Sequence, residues 1–314
     1  MYIKPGKRMI MVTNRKFHGI IPPVPTILFK EGQIDEKGMG NLIDFLIHSK
    51  VDGLFFLGSG GEFGQMPVEL RKEVVEFTIL YVNGRVPVLI GTGTPSTNET
   101  ISLSLHAKSM GADGVVVINP YYYKLTEESL FQHYSEIAEN VDLPIILYNY
   151  PELTGQDLAP DFVLRLVNKY PNIVGIKDTV LAVGHTRELI QTIKSEHPDF
   201  AVFSGYDEHL LNTLSLGGDG SIPLTSSFAP EISVGIYQSF KEGDYAQAID
   251  LHQQLASLLP LYKLDSPFMN VVKEAIRLRG IEISTDVLAP VRSLSPEKKE
   301  QVYSILLKKS NILS

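Results

Sequence analysis

Eight short Val/Ile/Leu-rich runs separated by helical patterns predict an α/β protein, a (β/α)8 TIM barrel with a C-terminal three-helix appendage. Three observations carry this. The runs are continuously apolar rather than alternating, as parallel strands covered on both faces are. They recur every 20 to 35 residues or so, with room for a helix in each interval, and they number eight, more than an open doubly wound sheet usually holds.

The strands are expected at 19–27, 53–59, 86–92, 114–119, 144–149, 173–179, 200–205 and 220–224. Between the second and third, Leu70, Val74, Phe77 and Tyr81 follow helical spacing, with Pro67 in the first turn where its missing N–H does no harm. Before the fourth, Ser96 and Glu99 match a capping box that opens a helix carrying Leu103, Ala107 and Met110 on one side. Beyond Phe240 come helical stretches at 244–258, 265–279 and 295–309, the last opened by Ser295-Pro296-Glu297. The expected division is an N-terminal extension over 1–17, a catalytic barrel over 18–242, and a helical region over 243–314 packed on it without a low-complexity linker.

The chain has 314 residues, 44% of them hydrophobic and 20% charged, with a formal net charge of −8. That balance argues against nucleic acid or an anionic membrane as partner and favours a small-molecule ligand. The absence of cysteine excludes disulfides, thiolate metal sites and a cysteine nucleophile. The eight histidines form no HExxH-like pair, so neither metal nor cofactor is expected. Met9-Ile10-Met11-Val12 is too short for a signal-peptide core, and no apolar run approaches the ~18 residues of a membrane span, so a cytoplasmic location is expected.

In a barrel the chemistry sits at the C-terminal ends of the strands. Lys177, in Ile173-Val174-Gly175-Ile176-Lys177-Asp178-Thr179, is the most informative residue there, because a lysine in an aliphatic strand is either a snorkelling strand end or a desolvated, nucleophilic amine. Simple alternation puts Lys177 on one face with Gly175 and Ile173, and Val174 and Ile176 on the other. Strand two ends in Gly58-Ser59-Gly60-Gly61-Glu62, whose successive N–H groups can hold a carboxylate, or which can be a tight turn needing positive φ. Tyr148 is a candidate proton shuttle or an aromatic lid, and Tyr121 to Tyr123 are open to site or interface roles. Gly217-Gly218-Asp219-Gly220 reads as a phosphate loop or a plain turn, and Lys273 as a second buried amine, mainly structural.

Together, Gly58-Ser59-Gly60-Gly61-Glu62, Tyr148-Asn149-Tyr150-Pro151 and Gly175-Ile176-Lys177-Asp178-Thr179 resemble the dihydrodipicolinate synthase/N-acetylneuraminate lyase family of pyruvate-handling barrels, and the resemblance runs from His18 onward. It implies that Lys177 forms a Schiff base with a 2-keto acid, that Tyr148 moves the proton with Ser59, and that Tyr122 joins the relay across a dimer interface. A homotetramer is implied too. The turn at Ser59 and Gly60 would hold the substrate carboxylate; Gly205, Asp207, Glu208 and Ile222 would contact the rest, the segment Gly205-Tyr206-Asp207-Glu208 resembling a polyol-binding loop. Two departures are informative. Leu153, beside Glu152, stands where dihydrodipicolinate synthases usually carry an arginine for a carboxylated acceptor, and Gly60 replaces a second threonine. Wording such as Thr154-Gly155-Gln156-Asp157-Leu158 is most similar to 2-keto-3-deoxygluconate aldolases, which implies cleavage of a 2-keto-3-deoxy sugar acid to pyruvate and a hydroxyaldehyde. Dihydrodipicolinate synthase, N-acetylneuraminate lyase and a non-catalytic sugar-acid binder are the alternatives.

Overall fold

Residues 17–307 are described by the computed structural model; residues 1–16, most of the expected extension, and 308–314 lie outside them. The strands are β1 (Gly19–Ile20), β2 (Leu54–Phe56), β3 (Val88–Gly91), β4 (Gly114–Ile118), β5 (Ile145–Asn149), β6 (Ile173–Asp178), β7 (Ala201–Ser204) and β8 (Gly220–Ser221). The helices are α1 (Glu36–His48), α2 (Val68–Val82), α3 (Thr97–Met110), α4 (Glu127–Asn140), α5 (Pro151–Thr154), α6 (Pro160–Lys169), α7 (Val183–Lys194), α8 (Leu210–Ser215), α9 (Pro230–Glu242), α10 (Tyr245–Ala256), α11 (Met269–Leu278) and α12 (Pro296–Leu307).

All strand pairs are parallel, in the order β1-β8-β7-β6-β5-β4-β3-β2. The curled sheet returns on itself after β1, where Phe55 N–H donates to Pro22 O (2.9 Å) and Val24 N–H to Phe55 O (2.8 Å). β1 and β8 are much shorter than the apolar runs that announce them. Pro22, Pro23 and Pro25 follow β1 and Pro223 follows β8, and a proline has no N–H to give to a ladder.

Side chains alternate between two apolar layers. Phe55, Leu89, Val116, Ile146, Phe203 and Ile222 pack with Phe17 inside the ring of strands, while Leu54, Ile90, Val115, Leu147 and Val202 face the helices. Phe17, read as the end of an extension, is thus part of the inner core. Ser96 accepts from Glu99 N–H at the start of α3, as its spacing predicts, whereas Pro67 caps α2 rather than entering its first turn.

Alternation fails in β6. The pairing runs Ile145 to Ile173 and then Ile146 to Gly175, so a bulge absorbs one residue. Ile173 and Ile176 therefore pack outward, while Val174 packs with the inner cluster. Val174 is on the opposite side from that expected, because one extra residue reverses the facing of everything N-terminal to it. Lys177 lies beyond the bulge and faces inward with Tyr148, its register partner on β5.

Candidate active site

A cavity of about 450 Å³ opens at the C-terminal ends of the strands and is lined by Ser59, Gly60, Tyr148, Lys177, Gly205, Asp207 and Ile222 among others. The bulge of β6 and the parallel register of β5 bring Lys177 and Tyr148 side by side. Lys177 is 4% exposed, its Nζ lying 4.3 Å from the centre of the Tyr148 ring and 5.3 Å from that of Phe55. Among the described residues it has no ion-pair partner within 4.0 Å. Burial pushes its pKa down to about 7, against the pull of Asp207. About half of such amines are neutral at pH 7, which makes the group a nucleophile without a separate base.

Tyr148 OH lies 3.3 Å from Ser59 Oγ. Burial pushes the phenol up to about 12, opposed by the hydroxyls of Ser59 and Thr179, so it rests protonated. Ser59 and Gly60 open a 3-10 turn (Ser59–Gly61), whose two leading N–H groups have no partner within the turn, an arrangement able to meet an anion. Positive φ in this region belongs to Leu57 (56°) and Glu62 (61°), not to the glycines. The glycines serve close approach instead. A Cβ on Gly58 would meet the Phe55 ring at 2.6 Å, and one on Gly60 would meet Leu224 Cδ1 at 2.9 Å and Pro23 O at 3.2 Å. Leu224 thus fills the room that a side chain at position 60 would need.

Glu62 turns away from the cavity. It is fully buried against Lys273 of α11, 2.5 Å from its Nζ, and accepts from Leu288 N–H at 3.0 Å, while Lys273 donates to Asp286 O at 2.6 Å. The second buried amine is therefore spoken for, and the pair ties the Ser59–Gly61 turn to the C-terminal helices.

Of the remaining expected residues, Gly205 lines the cavity, and a Cβ there would meet Thr179 Oγ1 at 1.8 Å. Asp207 is 4% exposed and accepts from Thr225 N–H (2.7 Å) and Thr225 Oγ1, with Tyr262 OH at 3.4 Å. Burial raises its carboxyl to about 6, so it remains mostly ionised at neutral pH. Glu208 is not among the residues lining the cavity. Tyr122 is 85% exposed with φ 87° and points out of its own chain, edge-on to Tyr123. Gly217-Gly218-Asp219-Gly220 lies at the opposite end of the strands: Asp219 is held by Lys194 (2.6 Å) and by Val202 N–H (2.9 Å). That placement removes the phosphate-loop alternative for the active face.

The outer half of the cavity joins Tyr150, Glu152 and Tyr206, which belong to the motifs above, to residues that the sequence did not announce. Tyr206 OH donates to Glu152 at 2.5 Å, and Tyr150 stacks on Tyr148 and meets Tyr206 edge-on. Tyr262, Lys263 and Phe268 arrive from the segment between α10 and α11. Tyr150 and Glu152 were visible beside Tyr148; Tyr262 and Phe268 carry no local signal, since only the long return of the chain brings them there.

Residues 16–309 match the model of the dihydrodipicolinate synthetase family. Two proteins of Escherichia coli K12 are similar over nearly their full lengths. YagE, provisionally named a 2-dehydro-3-deoxy-D-gluconate aldolase, is 52% identical over 296 residues, covering 94% of this chain and 98% of its own. YjhH, provisionally named a 2-dehydro-3-deoxy-D-pentonate aldolase, is 50% identical over 292 residues, covering 93% and 97%. The crystal structure of YagE in complex with pyruvate superposes with a TM-score of 0.92, covering 94% of this chain and 99% of that one. A dihydrodipicolinate synthase from Aquifex aeolicus is 31% identical, with a TM-score of 0.88 and coverage of 94% and 99%.

Proposed function

The chain belongs to the dihydrodipicolinate synthetase family, and from that premise we propose that it is a carbon–carbon lyase, a Schiff-base aldolase that cleaves a 2-keto-3-deoxy sugar acid to pyruvate and a hydroxyaldehyde. The observation that carries this reading is the desolvated, unpaired amine of Lys177 beside the phenol of Tyr148.

Lys177 Nζ adds to the C2 ketone, and loss of water gives an iminium. The substrate carboxylate rests on the N–H groups of Ser59 and Gly60. Tyr148, coupled to Ser59, takes the proton of the C4 hydroxyl as the C3–C4 electron pair moves into the iminium, leaving an enamine and a free aldehyde. The same phenol returns a proton to C3, and water hydrolyses the new iminium to release pyruvate. Because Tyr148 rests protonated, it must pass its own proton along Ser59 before it can act as a base; Tyr122 of a second copy would extend that relay, and a homotetramer supplies such a copy. Gly205, Asp207 and Ile222 border the hydroxylated tail.

A carboxylated acceptor is disfavoured by Glu152, which lines the cavity, while Leu153 beside it is 60% exposed and is not among the lining residues. This speaks against the dihydrodipicolinate synthase reaction. Among the described residues no helix is long and apolar enough to cross a membrane; a cytoplasmic location is part of the proposal. We read α10 to α12 as an appendage whose contribution to catalysis is to wall the outer cavity through Tyr262 and Phe268.

The test is borohydride reduction in the presence of pyruvate, followed by peptide mass spectrometry, together with a panel of aldehydes as acceptors. A pyruvyl adduct on Lys177 and preference for glyceraldehyde or glycolaldehyde are expected. No adduct, or preference for aspartate semialdehyde, overturns the reading.

A further inference from the structure

On the helix side of the catalytic strands lies a second polar cluster that the mechanism above leaves unused. Asn149 and Asp178 are register partners one residue beyond Tyr148 and Lys177, and both are fully buried. Successive residues of a strand point to opposite faces, so these two side chains face outward where their catalytic neighbours face inward. Asn149 Nδ2 donates to Asp178 (3.0 Å) and to Asp157 (2.7 Å), and Asn149 Oδ1 accepts from Leu158 N–H (3.0 Å). His185 on α7 stands between the two carboxylates, with Nδ1 3.0 Å from Asp178 and Nε2 3.3 Å from Asp157. Its neighbour Thr186 donates to Asp178 at 2.8 Å.

Building on the aldolase reading, we infer that His185 is a positioning residue: its ring clamps Asp157 and Asp178, locks the ends of β5 and β6 together, and cancels the negative charge next to the nucleophilic lysine. Two arguments support this. Nδ1 hydrogen-bonds Asp178 and Nε2 lies 3.3 Å from the Asp157 carboxylate in an ion-pair contact without hydrogen-bond geometry, so an anion beside each ring nitrogen favours the imidazolium. Burial works against that charge, yet the two carboxylates outweigh it and raise the ring to about 10. The charged groups around the ring are Asp157 from the loop after α5 and Asp178 from β6, with His209, from the turn after β7, near enough to sense Asp178. Arg187 and Glu188 on α7 are about half exposed and pair with each other. Among the described residues, the cation paired with Asp178 is His185. Without it, the buried carboxylate would favour the protonated form of the amine on the preceding residue.

The experiment uses the whole enzyme with His185→Gln, His185→Arg and the double variant His185→Gln/Asp178→Asn, and measures borohydride-trapped pyruvate adduct against pH, beside circular dichroism. For His185→Gln the expected results are a midpoint raised by roughly one pH unit and a trapping rate reduced about tenfold or more. His185→Arg, which keeps the charge, and the double variant, which removes the carboxylate with it, should return the midpoint toward wild type. A purely structural residue would lower the rate of every variant without moving the midpoint. A folded His185→Gln protein with an unmoved midpoint overturns the inference. Should that variant fail to fold, the comparison of His185→Arg with wild type decides, and a midpoint unlike wild type in the charge-preserving protein overturns it. If wild type itself traps no pyruvate, the aldolase reading fails and the inference falls with it.

Discussion

Tyr148 and Lys177 are register partners on adjacent parallel strands, and the amine lies 4.3 Å from the centre of the phenol ring. A π face stabilises an ammonium, so the ring opposes deprotonation, and desolvation must outweigh both it and Asp207. The balance near neutrality therefore depends on what surrounds the nitrogen.

Imine formation should rise with pH through about 7, the value to which burial lowers Lys177. Asp207→Asn removes a buried carboxylate that favours the charged amine, so its midpoint should fall. The trapped adduct measured on both sides of neutrality checks this, and an unchanged or higher midpoint contradicts it.

Lys177→Met should be inactive yet more stable than wild type at pH 7. Between pH 7 and 10.5 the unfolded lysine binds a proton that the native one does not, so unfolding free energy rises with pH across that window. The burial cost is thus fully present below 7 and gone above 10.5. Removing it should gain up to a few kcal/mol at pH 7 and little at the upper end. Denaturant titrations at two pH values read the difference.

Lys273→Met alone leaves Glu62 buried without its cation and should cost about 3–5 kcal/mol, whereas Glu62→Leu/Lys273→Met should recover most of that loss. Activity should recover less than stability, because the pair also holds the turn carrying Ser59 and Gly60. Thermal melts and kcat of the three proteins provide the comparison.

Gly60→Thr should lose about tenfold or more in kcat/KM, because Leu224 and Pro23 leave no room for the side chain. Leu224→Ala should restore part of the loss in the double variant. Strict additivity of the two changes would show that they do not share the space.

How much of this was legible in the sequence depends on the range over which each signal acts. Lys177 stood out because an ionisable group in an aliphatic run is costly wherever the run is buried, and the eight strands followed from local composition. Facing along β6 was not legible, since the bulge between Ile173 and Gly175 arises from pairing with β5 rather than from any residue type. The lengths of β1 and β8 were overestimated because apolar prolines look like strand by hydropathy but cannot donate. Glu62 read as part of a substrate turn, although its partner lies more than 200 residues away on α11. His185 gave no signal because its meaning comes from two aspartates on other elements.

The bridge between Glu62 and Lys273 also constrains how this chain can be recombined. A chimera that grafts another relative's tail onto these strands must bring a cation to the same depth, or the donor fragment will strand an acid inside its host. The natural seam for exchanging modules is therefore not at the last strand, and a crossover is best placed so that the lysine and the acid come from one parent.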